Sequence, residues 1–193
     1  MASNRMKERR VVKKMTTIGI DYSITSPGVF FDKTCHSLSG TKSLQGVYRD
    51  GDYTFYIHEY PLWATEEERH IKLAQWVMDC IKGCDSPCVS LEGYAFGASV
   101  GRVFNLSENT GELKKTLYRA NIPFETVAPP ALKKYATGKG NANKEAMYQA
   151  WIDAGMPDLM KLFGKPESKK LYGPITDIVD AYWLMMYGNH PPD

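Results

Sequence analysis

The chain has 193 residues, of which 43% are hydrophobic and 24% charged, and its formal net charge is +2. This composition is typical of a globular protein, and the length suits one domain with its own core. No apolar run approaches the roughly 18 residues that cross a bilayer, so we expect no membrane association. The charged residues 1–14 lack the apolar stretch of a signal peptide, which predicts a cytoplasmic location.

The predicted elements come in the order βββαβαβαα, which indicates a mixed α/β sheet with helices on its faces. Runs of apolar residues, or of alternating apolar and polar residues, predict five strands, at residues 16–21, 29–31, 53–60, 87–91 and 123–127. Apolar stripes and capping signals predict four helices, which begin near residues 65, 103, 143 and 174. We expect the first three strands to pair antiparallel and βαβ units to follow.

The segments outside these elements also carry predictions. Residues 33–52 are rich in Gly, Ser, Lys and Asp, which predicts a long hairpin excursion. Residues 155–173 are expected to form an irregular surface segment. The basic residues 1–15 are predicted to be a flexible N-terminal arm, and residues 16–193 a single domain.

The small net charge conceals blocks of opposite sign. Residues 1–14 hold six bases and one acid, and residues 93–144 hold eight bases and three acids. Residues 49–92 hold four bases and nine acids. Basic blocks are typical of a nucleic-acid-binding surface, although solvated helix faces show them as well. A nucleic-acid partner therefore remains open despite the near-zero total.

The four cysteines are Cys35, Cys80, Cys84 and Cys88. The last three are four residues apart, a spacing that invites comparison with a metal site. Zinc sites usually add a second pair of ligands further along the chain, and no such pair follows. We therefore predict reduced thiols in the core.

Four acids occupy positions where a solvated charge is unexpected. Asp21 and Glu92 each end an apolar strand, and Asp177 and Asp180 lie three residues apart on one face of an apolar helix. Burying several carboxylates together is costly unless a cation compensates them. Hard oxygen ligands of this kind suit Mg²⁺ or Mn²⁺. Each acid alone also has a structural explanation, as a turn cap or a first-turn helix acid.

The chain resembles the RuvC family of Holliday-junction resolvases, within the ribonuclease-H-like superfamily, in the segments that contain these acids. They are I-G-I-D-Y-S (18–23), V-S-L-E-G (89–93) and D-I-V-D-A (177–181). The loop 131–144 is also similar, and it places Lys133 and Lys144 on the family's two basic positions. The family commonly has Asp-Pro-Gly after its first strand, where this chain has Asp21-Tyr22-Ser23. This departure suggests a divergent, phage-type or virus-type member.

The resemblance implies a ribonuclease-H-like fold and an endonuclease that resolves Holliday junctions by paired nicks during DNA recombination and repair. It implies that the four acids hold two Mg²⁺ ions, for which Mn²⁺ can substitute, with Asp21 bridging both. Lys144 is expected to stabilise charge on the scissile phosphate, and Lys133 to contact the DNA backbone nearby. The resemblance also implies a homodimer in the cytoplasm of a bacterium or a phage-infected host.

DNA contacts are expected on basic residues of the second helix and of the loop that follows the last strand. The candidates are Arg102, Lys114, Lys115, Arg119, Lys133, Lys134, Lys139 and Lys144. Tyr94 and Phe96 follow Glu92 in a Gly-rich loop, and either could stack on unpaired bases at a junction.

Three other functions are compatible with parts of this pattern. A nuclease of the same fold could act on flaps, three-way branches or RNA–DNA hybrids. A non-catalytic nucleic-acid-binding module could retain the fold, although all four acids are present. An ATPase of the sugar-kinase and actin type also begins with a strand that ends in Asp, but it has two such domains and Gly-rich phosphate loops.

Overall fold

In the computed structural model, a seven-stranded mixed sheet carries helices on both faces. The structure describes residues 15–94, 100–165 and 170–192, with side chains of the second helix described from Val103 onward. The strands are β1 (Thr16–Asp21), β2 (Gly28–Phe31), β3 (Thr34–Ser39), β4 (Gly46–Asp50), β5 (Tyr53–Glu59), β6 (Pro87–Glu92) and β7 (Phe124–Val127). The helices are α1 (Glu66–Cys80), α2 (Val100–Arg119), α3 (Pro129–Thr137), α4 (Lys144–Asp153), α5 (Leu159–Leu162) and α6 (Ile175–Asn189).

The strand β1 lies inside the sheet, whose order is β4-β5-β3-β2-β1-β6-β7. It pairs antiparallel with β2, where Ile18 faces Phe31, and parallel with β6, where Ile18 lies beside Val89. The strand β6 continues through α2 to β7, which pairs with it in parallel and so completes a βαβ unit. The predicted mixed α/β class, with helices on both faces, is confirmed.

The predicted strand count of five is too low, because the segment 33–52 contributes β3 and β4 instead of a simple hairpin excursion. In β3 the residues Ser37 and Ser39 are buried, and β4 is a mostly exposed edge strand. Neither strand therefore shows the apolar alternation that predicts a strand. The first two predicted strands pair antiparallel as expected, but the third, β5, does not pair with β2: it pairs antiparallel with β4 and in parallel with β3.

The helices begin close to their predicted positions. At the start of α1 the amide of Glu68 donates to Thr65 Oγ1 at 3.2 Å, and the amide of Ala64 donates to Glu68 Oε2 at 2.6 Å. The helix α3 is not among the predicted helices, because its first two residues, Pro129 and Pro130, are also typical of the end of a strand. Proline suits the first turn of a helix, where its missing N–H costs nothing, and α3 begins there. The short α5 lies within the segment expected to be irregular.

The core has a layer on each side of the sheet. On one side α1 and α2 cover Ile18, Ile20 and Val29, and on the other α3, α4 and α6 cover Phe30 and Phe55. None of the helices in the described ranges has the length and hydrophobicity that a bilayer crossing needs.

Two glycines let α6 lie unusually close to the sheet. A Cβ on Gly19 would collide with the carbonyl oxygen of Ala181, and one on Gly28 would come within 2.6 Å of the carbonyl oxygen of Asp177. Real Cβ atoms do not approach backbone this closely, so both positions require glycine. The start of α6, which carries two of the four acids, is thereby brought against β1 and β2.

The four cysteines are free thiols, with Cys35 buried and the other three half-buried. Within the described ranges, Cys80, Cys84 and Cys88 do not share one metal-ligating group, and only Cys80 belongs to such a group. Cys35 belongs to the core, and Cys80 and Cys84 pack against it.

Candidate active site

Two of the acids lie side by side at one edge of the sheet. Asp21 ends β1 and Glu92 ends β6, and each directly follows the last parallel pair of these strands, Ile20 with Leu91. Asp21 is only 5% exposed. The carboxyl ends of parallel strands share one edge of a sheet, which explains why acids 71 positions apart in the sequence meet here.

The helix α6 supplies the other two acids. Asp177 and Asp180 lie one turn apart near its start, where the helix packs across β1 and β2. Asp177 is 9% exposed and Asp180 is half-buried. Both carboxylates act electrostatically on Asp21, so all four acids converge on one site.

Burial and mutual repulsion raise the pKa values of these carboxyls. Burial raises the pKa of Asp21 well above its ordinary value, and the carboxylates of the other three acids raise it further. Burial is also the first cause at Glu92, whose pKa rises to about 7, and at Asp180, whose pKa rises to about 8. Without a cation, the site therefore retains protons that an exposed carboxyl would release.

Asp177 is surrounded by hydroxyl groups. The hydroxyls of Ser23 and Thr176 donate to its carboxylate at 3.2 and 3.1 Å, and Ser26 Oγ donates to it as well. Burial raises the pKa of Asp177, and these hydrogen bonds oppose that shift by stabilising the charged form. The three hydroxyls also fix the orientation of the carboxylate toward the other acids.

Two lysines lie beside the acids. Lys133 and Lys144 line a cavity of about 230 Å³ together with Glu92 and Asp180. The Nζ atom of Lys144 donates to Thr176 Oγ1 at 3.4 Å. Both lysines lower the pKa of Glu92, which places their positive charges close to it. The cavity therefore combines anionic ligands with cations that can bind a phosphate.

The donors in this site suit a divalent metal ion. Four carboxyl groups converge, of which Asp21 and Asp177 are buried and Glu92 and Asp180 half-buried, and the nearby lysines offset only part of their charge. Carboxylate oxygens are the ligands that Mg²⁺ and Mn²⁺ accept. A bound divalent ion would replace the protons that the raised pKa values retain, so the residues present fit such an ion.

Solved structures that share this fold include two of RuvC. Thermus thermophilus RuvC superposes with a TM-score of 0.55 at 16% identity, over 91% of this chain and 96% of that one. T. thermophilus RuvC in complex with a Holliday junction substrate gives a TM-score of 0.59 at 15% identity, over 91% and 95%. The chain has a RuvC-like fold. Comparison of the sequence with protein-family models and with curated proteins gives no match.

Within the RuvC-like fold, the aromatic predicted to stack on bases lies next to the acids. Tyr94 lines a second cavity of about 110 Å³ with Asp21 and Glu92. The Nζ atom of Lys114 lies 5.1 Å from the centre of its ring, a cation–π contact. Phe96 lies outside the described residues, as does the side chain of Arg102.

The remaining predicted basic residues lie away from the carboxylates. Lys134 and Lys139 are exposed, and Lys139 lines a different cavity, formed by α3 and α4. Lys115 forms an ion pair with Glu112 on α2, and Arg119 is exposed at the end of that helix. The structure thus brings Lys133 and Lys144 to the acids but leaves these four bases on the surface.

Sequence reasoning missed the hydroxyl groups around Asp177. Ser23 follows Asp21 by two residues, where the chain departs from the Asp-Pro-Gly pattern, and this departure is the available signal for it. Ser26, five residues after Asp21, carries no such signal. Thr176 precedes Asp177, but a threonine in a first helical turn is too common to indicate a role.

Proposed function

We propose that this protein is a divalent-metal-dependent endonuclease that cuts branched DNA and resolves Holliday junctions by paired nicks. The observation that carries the proposal is the convergence of Asp21, Glu92, Asp177 and Asp180 at one edge of the sheet, beside two lysines. The likeness to a RuvC structure bound to a Holliday junction supports branched DNA as the substrate.

The four acids are proposed to hold two Mg²⁺ ions, for which Mn²⁺ can substitute, with Asp21 shared between them. When bound, these ions would activate a water and stabilise the leaving oxygen of a phosphodiester. The buried position of Asp21 keeps its carboxylate in a fixed orientation. Ser23, Ser26 and Thr176 do the same for Asp177 through their hydrogen bonds.

The lysines of the cavity are proposed to act on the DNA phosphate. Lys144 is oriented by its hydrogen bond to Thr176, so its ammonium group lies at the mouth of the acidic cluster. There it can stabilise negative charge that develops on the scissile phosphate. Lys133 lines the same cavity and is suited to hold an adjacent phosphate.

A wider surface is proposed to hold the arms of the DNA. Tyr94 lies beside Asp21 and Glu92, where its ring can stack on an unpaired base. The other predicted basic residues are proposed to bind backbone phosphates without reading the sequence, and they are Arg102, Lys114, Lys115, Arg119, Lys134 and Lys139. A homodimer is part of the proposal, since paired nicks in a two-fold symmetric junction require two active sites.

The experiment compares four labelled substrates of equal arm length: a four-way junction, a three-way branch, a 5′ flap and an RNA–DNA hybrid. Each is incubated with the full chain in Mg²⁺ and in EDTA, and the nicks are mapped on denaturing gels. We expect symmetric paired nicks in the four-way junction only, and none in EDTA. Preferential cutting of a flap, three-way branch or hybrid would show that the protein is a nuclease for that substrate and not a junction resolvase. Junction binding without cleavage of any substrate would indicate a non-catalytic module.

A further inference from the structure

A second group of metal-ligating side chains lies beneath helix α1, on elements that carry none of the four acids. His36 is on β3, His58 on β5 and Cys80 at the end of α1, and one ligand atom from each lies within 4.8 Å of the others. Nδ1 of His36 and Nε2 of His58 are 3.0 Å apart. The group joins three elements that are far apart in the sequence.

The strand register places the two histidines together. In the parallel pair β3–β5, His36 lies beside Tyr56 and Leu38 lies beside His58. Side chains two residues apart on a strand point to the same face, so both imidazoles project toward α1. Cys80 ends the helix that covers this face, where its neighbours Leu73 and Val77 pack on the sheet.

Aromatic rings fix the orientation of both imidazoles. The ring of His36 stacks between Tyr56, at a centroid distance of 4.8 Å, and Phe31, at 5.9 Å. The ring of His58 meets the edge of Trp76 at 6.2 Å. Rings held in this way keep the two nitrogens close together, as a preorganised ligand set requires.

Burial also keeps the imidazoles in the form that binds metals. Burial and the neighbouring His58 lower the pKa of His36 to about 4, and burial lowers the pKa of His58. Two neutral imidazoles share one hydrogen bond, and each can offer a lone pair to a metal instead. Burial raises the pKa of the Cys80 thiol to about 12, so a metal would have to displace its proton to solvent, as metal ions do at thiol ligands.

One unsatisfied donor lies near this group. The indole Nε1 of Trp76 is buried and has no hydrogen-bond partner among the residues that the structure describes. Trp76 precedes Cys80 by one helical turn and contacts His58. Donors next to a metal centre commonly donate a hydrogen bond to its thiolate ligand or to a metal-bound water.

We propose that His36, His58 and Cys80 bind a zinc-class transition-metal ion, at a site separate from the carboxylate cluster. Tetrahedral zinc, with Zn–N distances of about 2.0–2.1 Å, holds two imidazole nitrogens about 3.3 Å apart, close to the 3.0 Å seen here. The Cys80 side chain would supply the third ligand, and the fourth position would be open to water. Imidazole and thiolate ligands disfavour Mg²⁺, so the two sites would select different ions.

The test titrates the metal-stripped full chain with Co²⁺ in excess Mg²⁺, which saturates the carboxylate site. We expect one Co²⁺ per chain with a thiolate-to-cobalt charge-transfer band, which Zn²⁺ abolishes by displacement. Cys80→Ser and His58→Asn should each weaken binding at least about 100-fold, while Cys84→Ser, at a nearby half-buried thiol, should leave it unchanged. No charge-transfer band in the wild type, or its equal loss in Cys84→Ser, would overturn the proposal.

A second measurement needs no variant and so does not depend on whether the variants fold. The wild-type chain is alkylated with and without Zn²⁺, and each cysteine is followed by mass spectrometry. We expect Zn²⁺ to slow alkylation of Cys80 at least about tenfold, with Cys84 and Cys88 unaffected. Equal reactivity of Cys80 in both conditions would contradict the assignment. Neither measurement depends on nuclease activity, so failure here would leave the proposed function standing.

Discussion

The backbone of Gly19 in β1 lies directly against the carbonyl oxygen of Ala181 in α6. A Cβ on Gly19 would collide with that oxygen and with the amide of Met185. Asp21 follows Gly19 by two residues, and Asp180 immediately precedes Ala181. The distance between the strand acid and the helix acid therefore depends on a glycine that has no functional group of its own.

The substitution Gly19→Ala is predicted to destabilise the protein strongly. Its methyl group would force α6 away from β1, and overpacking of this kind usually costs about 1–3 kcal/mol, more when the obstacle is backbone. We expect a loss of at least about 3 kcal/mol in the free energy of unfolding, measured by denaturant titration. Gly40→Ala is the matched control, since its Cβ would meet nothing within 4 Å, and it should change stability by less than about 0.5 kcal/mol. Equal stability of the two variants would refute the close packing.

The substitution Ser26→Ala is predicted to weaken metal binding. It removes a hydroxyl that donates to Asp177 and thereby raises the pKa of that carboxyl further, so protons compete better with Mg²⁺. A hydrogen bond to a charged group contributes about 1.5–3 kcal/mol, so the Mg²⁺ concentration for half-maximal cleavage should rise about tenfold or more. Ser43→Ala is the control, because it removes an exposed hydroxyl between β3 and β4, two strands that carry none of the four acids, and it should have no effect. An unchanged Mg²⁺ dependence in Ser26→Ala would exclude this role of the hydroxyl.

The stability of the metal-free protein is predicted to fall as the pH rises. The pKa values of Glu92 and Asp180 are raised to about 7 and about 8 in the folded chain, whereas exposed carboxyls titrate near 4. Below about pH 6.5 the buried His36 and His58 act in the opposite sense, because burial lowers their pKa values and the unfolded chain protonates them first. Above that pH the folded state keeps protons on Glu92 and Asp180 that the unfolded state has lost, so its free energy of unfolding should decrease between about pH 6.5 and 8. Denaturation in EDTA from pH 6.5 to 8.5 measures the slope.

Two comparisons sharpen this pH test. Added Mg²⁺ should restore stability most at the alkaline end, because the ion replaces the lost protons. Asp180→Asn should flatten the slope in EDTA, because it removes a buried carboxyl that titrates in this range and one of the charges that raise the pKa of Asp21. A free energy of unfolding that increases between pH 6.5 and 8.5 in EDTA would contradict the raised pKa values.

The substitution Lys144→Ala is predicted to slow cleavage far more than it weakens junction binding. Its ammonium group lies in the cavity with Glu92 and Asp180, where loss of one electrostatic stabiliser typically costs about 100-fold in rate. Lys134→Ala is the control, because Lys134 is exposed on the same basic segment and outside that cavity. It should reduce junction affinity slightly. The slope of log affinity against log salt concentration should become shallower by about one, the contribution of one phosphate contact. Single-turnover rates and binding titrations separate the two effects, and equal rates in both variants would contradict the role of Lys144.

The sequence predicts the four acids through their combination: two end apolar strands and two share one face of an apolar helix, although each alone has a structural explanation. It predicts the hydroxyl groups around Asp177 and the strands β3 and β4 poorly, because polar residues in such positions are common. The serines of β3 are polar yet buried, and Ser26 resembles any turn residue until α6 is seen against it. The grouping of Cys80 with two histidines depends on the parallel pairing of β3 and β5, which the expected hairpin excursion concealed.

The most direct test of the carboxylate site is cleavage and binding by Asp21→Asn. The substitution preserves the shape of the side chain but removes the charge that is proposed to bridge two metal ions. We expect cleavage of a four-way junction in Mg²⁺ to fall by at least about 1,000-fold, while junction affinity measured in Ca²⁺ changes by less than about threefold. Cleavage by Asp21→Asn at the wild-type rate would contradict the account.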